Sequence, residues 1–150
     1  MHDFAGRMLA YPGALTPASH IALLFWDHYL YETDETFLKE RAYPFMKAAA
    51  EFYLQYAKEE DGVFHIYPAG VYECEFGEDF QDTAPDLSAV RALFPACIRA
   101  AEILHTDADK CAQWKDFLDR LAPYTFRINK RGEEVLAVGK DKEGKAADFQ

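Results

Sequence analysis

Residues 59 to 90 hold nine carboxylates and not one Lys or Arg. The acids crowd most closely from Glu73 to Asp86, where Glu75, Glu78, Asp79 and Asp82 share the stretch with Phe76 and Phe80, just after Tyr72. Such a mixture suits proton transfer, because desolvation by a ring and repulsion between like charges both raise a carboxyl pKa until the acid keeps its proton near neutral pH. Tyr72 would act on Glu73 in the first way, and Glu75, Glu78 and Asp79 in the second. Pro68 to Ala84 carries neither helical nor strand periodicity, and loops beyond roughly 12–15 residues in compact domains are usually functional or disordered. The aromatic residues favour an ordered loop. A solvated acidic face is the plainer reading of the same charges.

Other reactive side chains are sparse. Cys74, Cys97 and Cys111 are odd in number and lack a Cys-x-x-Cys pairing, so neither a disulfide framework nor a thiolate zinc site is indicated. His20, His65 and His105 are scattered without ligand spacing, and the acidic loop lacks the spaced Asp/Asn ligands and central glycine of a helix-loop-helix calcium site; no metal and no cofactor is expected.

The elements that must position the loop are helical. Thr16-Pro17 starts a helix with Ile21, Leu24, Phe25 and Tyr29 on one stripe, ending near Tyr31. Thr33-Asp34 starts a second, which Pro44 breaks or kinks before a longer amphipathic run to Tyr56. Asp61-Gly62 is a turn and Val63 to Tyr67 a short strand. Beyond the loop, Ala84-Pro85-Asp86 opens a helix with Leu87, Val90, Leu93, Phe94, Cys97, Ile98, Ala101 and Leu104 apolar and a bend expected at Pro95. Thr106 to Asp109 caps the next helix, whose stripe is Trp114, Phe117, Leu118 and Leu121. A β-hairpin, Phe126–Ile128 with Val135–Val138, and a polar tail follow. The two halves repeat one plan, an x-Pro helix, a Thr-Asp turn and a returning helix, which predicts stacked αα-hairpins.

Composition narrows the partners. With 26 acids against 16 bases the net charge is −10, which disfavours nucleic acid and anionic membranes, since both require clustered Lys and Arg. No apolar run approaches the roughly 20 residues that span a bilayer. Met1 to Arg7 lacks the basic start and apolar stretch of a secretory signal, so a cytoplasmic setting is the default expectation.

Leu24-Phe-Trp-Asp-His-Tyr29, then Thr33-Asp-x-x-Phe-Leu38 and Arg41-Ala-Tyr-Pro-Phe-Met-Lys-x-Ala-Ala-x-Phe52, form an ordered series with Asp61-Gly62, Phe64-His-Ile66, the Asp86-Leu helix and Ala100-Ala-Glu-Ile-Leu104. This series resembles the catalytic domain of six-hairpin glycosidases, closest to the branch that contains the α-L-fucosidases, over roughly residues 20 to 124. The resemblance implies a mainly α fold, αα-hairpins forming part of an α/α toroid, with 1–124 as an internal segment of it and 125–150, a β-hairpin and polar tail, as the start of a following segment. It implies hydrolysis of a carbohydrate, with a loop after the short strand supplying the general acid. The matching position is Glu73, although Val71-Tyr72 stands where relatives carry Ser-Pro; Glu75 is the alternative.

Asp86 matches a family aspartate at the head of the next helix, where capping and the helix dipole also favour an acid. Trp26, His28 and Tyr29, with Tyr72, are the candidate sugar-contacting side chains, because flat rings make good saccharide platforms; inter-helix packing is the alternative role. The base machinery of the relatives lies in segments this chain does not contain, so the chain alone is expected to be inactive, and hairpin faces that expect neighbours predict self-association. The competing functional reading is a non-enzymatic acidic helical-hairpin module that binds a basic partner.

Overall fold

A computed structural model describes residues 15–70, 80–141 and 143–147. Helix α1 (Pro17–Glu32) begins on Pro17, but Thr16 is itself helical and its hydroxyl caps nothing. The helix ends where Thr33 turns left-handed and donates its N–H to Tyr29. Asp34 then caps the short α2 (Glu35–Phe37), its Oδ1 accepting the N–H groups of Thr36 and Phe37 at 2.8 and 3.2 Å.

Pro44 does not break the helical path. A π-helical turn, Leu38–Ala42, joins α2 to α3 (Tyr43–Tyr56), with the Tyr43 N–H reaching back five residues to Leu38. Pro44 has no N–H to give to the carbonyl four residues earlier, and widening the helix by one residue takes up that missing bond.

After α3, strands β1 (Lys58–Glu60) and β2 (Val63–His65) form an antiparallel hairpin with Glu60 opposite Val63. Asp61 and Gly62 at its tip both have positive φ, 51° and 80°, which a two-residue turn matched to strand twist requires. Helix α4 (Ala84–Ile103) runs without interruption through Pro95, and α5 (Ala108–Asp119) returns beside it. Strands β3 (Phe126–Ile128) and β4 (Glu134–Leu136) pair as the expected hairpin, and β5 (Gly139–Lys140) pairs with β6 (Ala146–Ala147).

The fold is therefore mainly α, two helical hairpins packed on each other, with α4 touching α1, α3 and α5. The expected apolar positions from Leu87 to Ala101 are buried, whereas Leu104, at the C-terminal end of the helix, is only half-buried. The core is aromatic at its centre: Phe94 lies 5.1 Å from the Phe117 ring, which stacks on Phe64 of β2 at 4.5 Å, and Trp114 is fully enclosed. β2 is thereby welded to the end of α5, where Phe64 donates to Arg120 and accepts from Ala122.

One expected cap differs. Asp107, rather than Thr106 of the expected Thr-x-x-acid cap, stands at the N-terminus of α5, in a left-handed conformation, and its side chain caps nothing. Its carboxylate instead crosses to α3, accepting from Tyr43 Oη and Lys47 Nζ, both at 2.7 Å. The Lys47 bond first and the Tyr43 bond second hold its pKa below the usual range.

Candidate active site

Ser19 on α1 donates to the Tyr53 hydroxyl on α3, so the start of α1 and the end of α3 lie together. At the same end, Tyr56 donates to the Pro68 carbonyl. Here the chain leaves β2, and Ala69 and Phe80 exchange backbone hydrogen bonds of 2.8 and 3.3 Å. The acid-bearing stretch between them is therefore closed at its base by a paired neck. Glu73, Glu75 and Tyr72 lie in 71–79, outside the described residues.

Beyond the neck the backbone is held twice more. Asp82 donates its N–H to the Ile66 carbonyl, and Gln81 exchanges two 2.8 Å bonds with Lys140 of β5. Ala84 donates to Val138. Gly139 passes so close that a Cβ there would sit 3.0 Å from the Gln81 oxygen and 3.1 Å from the Thr83 Cα. Residues 137–140 thus form a strap laid along 81–84.

Two carboxylates are buried in this region. Asp82, 1% exposed and left-handed at φ 53°, takes the Ile66 N–H on Oδ1 at 3.0 Å. Its Oδ2 faces His65 Nδ1 at 2.6 Å, Gln81 Nε2 at 3.3 Å and Lys140 Nζ at 3.4 Å. A carboxylate oxygen only accepts, so its contact requires a hydrogen on Nδ1 of His65, whereas the 2.8 Å contact of Gln81 Nε2, which only donates, requires Nδ1 as the acceptor; the nitrogen serves one or the other.

Asp86, also 1% exposed, occupies the first turn of α4. Thr83 Oγ1 accepts the Asp86 N–H at 3.3 Å and donates to Asp86 Oδ2 at 2.6 Å. Oδ1 has no hydrogen-bond partner among the described residues. Burial pushes this carboxyl up to about 6, against a smaller opposing effect of the Thr83 hydroxyl. Burial likewise raises the Tyr53 and Tyr56 hydroxyls, with the charge of Asp86 adding to both. Asp86 therefore has the environment of a proton-holding group, while its enclosure keeps it from solvent.

The aromatic candidates on α1 are placed elsewhere. Trp26 pairs with Tyr29 at 5.4 Å between ring centroids, and Tyr29 is buried. His28 faces away from them, against Phe37 at 4.4 Å, on the rim of an apolar groove lined by Ile21, Leu24, Phe25 and Phe37. Trp26 follows Ser19 by seven residues, about 10 Å along the helix at ~1.5 Å per residue. The described residues do not gather Trp26, His28 and Tyr29 around Asp86.

Sequence reasoning missed the Asp82 cluster. His65 read as an isolated histidine, Asp82 as one of nine acids and Lys140 as part of a tail, since partners 17 and 58 residues apart leave no spacing signal. The one available hint was a Gln-Asp-Thr triplet directly before a Pro-bearing helix start.

No group of three or more His, Cys, Asp or Glu side chains suited to a metal ion occurs among the described residues, and none of their helices is long and apolar enough to cross a membrane. No curated protein matches the chain. The glycosyl hydrolase family 95 catalytic domain matches residues 11–135, a span that takes in both helical hairpins, the neck and part of the strap's approach. That family lies within the six-hairpin glycosidase superfamily, in keeping with the stacked αα-hairpins. The chain belongs to the glycosyl hydrolase family 95 catalytic domain family.

Proposed function

We propose that this chain contributes the proton-donating half of a glycoside hydrolase site acting on α-L-fucoside-type substrates, with Glu73 as the general acid. Cleavage of a glycosidic bond needs one carboxylic acid to protonate the departing oxygen while a second group activates water or attacks the sugar. Glu73, set between Tyr72 and Glu75 in sequence, has the neighbours that keep a carboxyl protonated. Glu75 is the alternative donor. Asp86, bonded by Thr83 and enclosed, does not touch sugar in this reading.

The observation that carries the reading is the family match across residues 11–135, a span that includes Glu73 and the acidic loop around it. The fastened neck at Ala69 and Phe80 supports it, since a proton donor must be held in place to be effective. The test is Glu73→Gln in the complete encoded protein, assayed on an aryl α-L-fucoside within a panel of aryl glycosides. General acid catalysis is worth roughly 10²–10⁴-fold, and a loss in kcat of that order is expected. Undiminished turnover would move the donor to Glu75, and preference for another glycoside would replace the fucoside assignment.

A further inference from the structure

Two helix faces stand out among the described residues as uncovered and complementary. On α1, Ile21, Leu24, His28 and Tyr31 recur at three- and four-residue spacing along the outer side, with Ile21 48%, Leu24 67% and Tyr31 89% exposed. Ile21 and Leu24 also border the apolar groove that Phe25 and Phe37 complete. On α4 the exposed line is Ser88, Ala92, Pro95 and Arg99. Its first three side chains are short, so the face is a shallow trough with a cation at its far end. Contiguous exposed apolar side chains mark contact surfaces, and side chains at this spacing form a ridge that fits between the short side chains of a second helix.

Both halves of such a contact occur in one chain. Ile21 and Ser88, Leu24 and Ala92, His28 and Pro95, and Tyr31 and Arg99 each lie within one residue of the same distance from the start of their helices. A parallel alignment therefore sets Leu24 over Ala92 and the Tyr31 ring over the Arg99 guanidinium, a pairing that rings favour. Asp27 and Glu32 then flank the same cation. This matters because a net charge of −10 repels copies of the chain unless opposite signs meet locally. The reverse alignment would bring those acids to Ser88, where the nearby Arg91 is already committed to the Ala122 carbonyl and the Tyr124 ring. Within one copy α1 and α4 already touch and run the same way: Ser19 bonds the Tyr53 hydroxyl, the Asp86 charge acts on that hydroxyl too, and both residues are in the first turn of their helices. Between copies the same two helices would meet through their remaining faces.

We propose that copies of this chain associate head to tail, the outer face of α1 in one copy lying parallel on the Ser88 to Arg99 face of α4 in the next. The contact is heterologous, so a dimer still carries one free α1 face and one free α4 face for further copies. At ~1.5 Å per residue the 16 residues of α1 are about 24 Å long, and an interface built on one helix pair is small, hence weak and transient. The assignment is independent of which acid donates the proton.

The test is sedimentation of the 150-residue chain across a concentration series. The parent is expected to rise above its monomer mass of 17.1 kDa as concentration increases. Leu24→Glu blocks the α1 face and Ala92→Glu the α4 face; both sites are exposed and glutamate is a good helix former, so the fold is kept. Each variant alone should stay monomeric, because each lacks one half of the contact. Mixed, they hold one intact face apiece and should give a one-to-one dimer that grows no further, a result that unfolded protein would not produce. In the parent background Asp27→Arg should weaken association roughly tenfold, and adding Arg99→Glu to the same chain should restore it. A parent that is monomeric at every concentration, either glutamate variant that still associates alone, or a mixture without dimer would overturn the proposal.

Discussion

The knot of donors at Asp82 and the first turn of α4 at Asp86 lie four residues apart, each around an aspartate that is 1% exposed, yet they handle that burial in opposite ways. Asp82 has a donor on each oxygen and an ammonium beside one of them. Among the described residues Asp86 has a single side-chain donor, Thr83, and no partner for Oδ1, and burial raises its pKa to about 6. Burial alone therefore does not decide what an aspartate does. The partners decide it: the first carboxylate works as a tether between segments, and the second is a group that the fold prefers to keep protonated.

The sharpest way to break this contrast is to remove the tether. Asp82→Ala leaves the Ile66 N–H, His65 Nδ1 and Lys140 Nζ facing a gap where their shared acceptor stood. Breaking a buried charged pair from one side typically costs about 3–5 kcal/mol, and a loss of that size is expected in urea unfolding. A loss below about 1 kcal/mol, in the range of ordinary surface changes, would mean that backbone bonds alone hold the strap.

Asp86 sharpens the contrast through pH. Its pKa stands near 3.8 when unfolded and about 6 when folded, so between those values the folded chain binds more protons than the unfolded one. Its contribution to stability is fully present below pH ~4 and is lost as pH rises through 6. The difference of about two units corresponds to roughly 3 kcal/mol. Relative to Asp86→Asn, the parent should therefore gain up to about that much stability between pH 7 and pH 4. Parallel pH profiles for the two proteins would show that the carboxyl is not strained by its burial.

The two regions were also unequally legible in the sequence. The α4 turn could be read directly, because Thr83, Pro85 and Asp86 are close together and the stripe from Leu87 to Ala101 has helical spacing, which burial then satisfies. The Asp61-Gly62 turn and the β3–β4 hairpin were open to the same local logic. The knot was not, since its partners come from β2 and β5, and local pattern carries no information about contacts made 17 or 58 residues away. The same limit explains the start of α5, where local rules put the cap on Thr106 and Asp109, whereas Asp107 takes the N-cap position and its carboxylate goes to Tyr43 and Lys47. The π-helical passage at Pro44 is a third case: the proline marks a disturbance, and packing of Leu38 and Ala42 into the core decides that the helix widens and continues. Of the candidate site, Asp86 is placed by the described residues, whereas Glu73, Glu75 and Tyr72 fall in 71–79, outside them.

The smallest expected effect lies at the residue between the two regions. Thr83→Val keeps the branched shape that packs near Gly139 and removes only the hydroxyl. That hydroxyl caps α4 by accepting the Asp86 N–H, and it is the one side-chain donor to Asp86 Oδ2 among the described residues. Loss of such a cap costs about 1 kcal/mol. A hydroxyl bonds a carboxylate more strongly than a neutral carboxyl group, so the cost should be larger at pH 7, where Asp86 is ionised, than at pH 4, where it is protonated. The Asp86 pKa should rise further in this variant, because the Thr83 bond that opposes the effect of burial is gone. Carboxyl signals followed by NMR would read that shift directly. An unchanged or lowered Asp86 pKa would mean that another group supplies Oδ1, which would make the α4 turn resemble the knot after all.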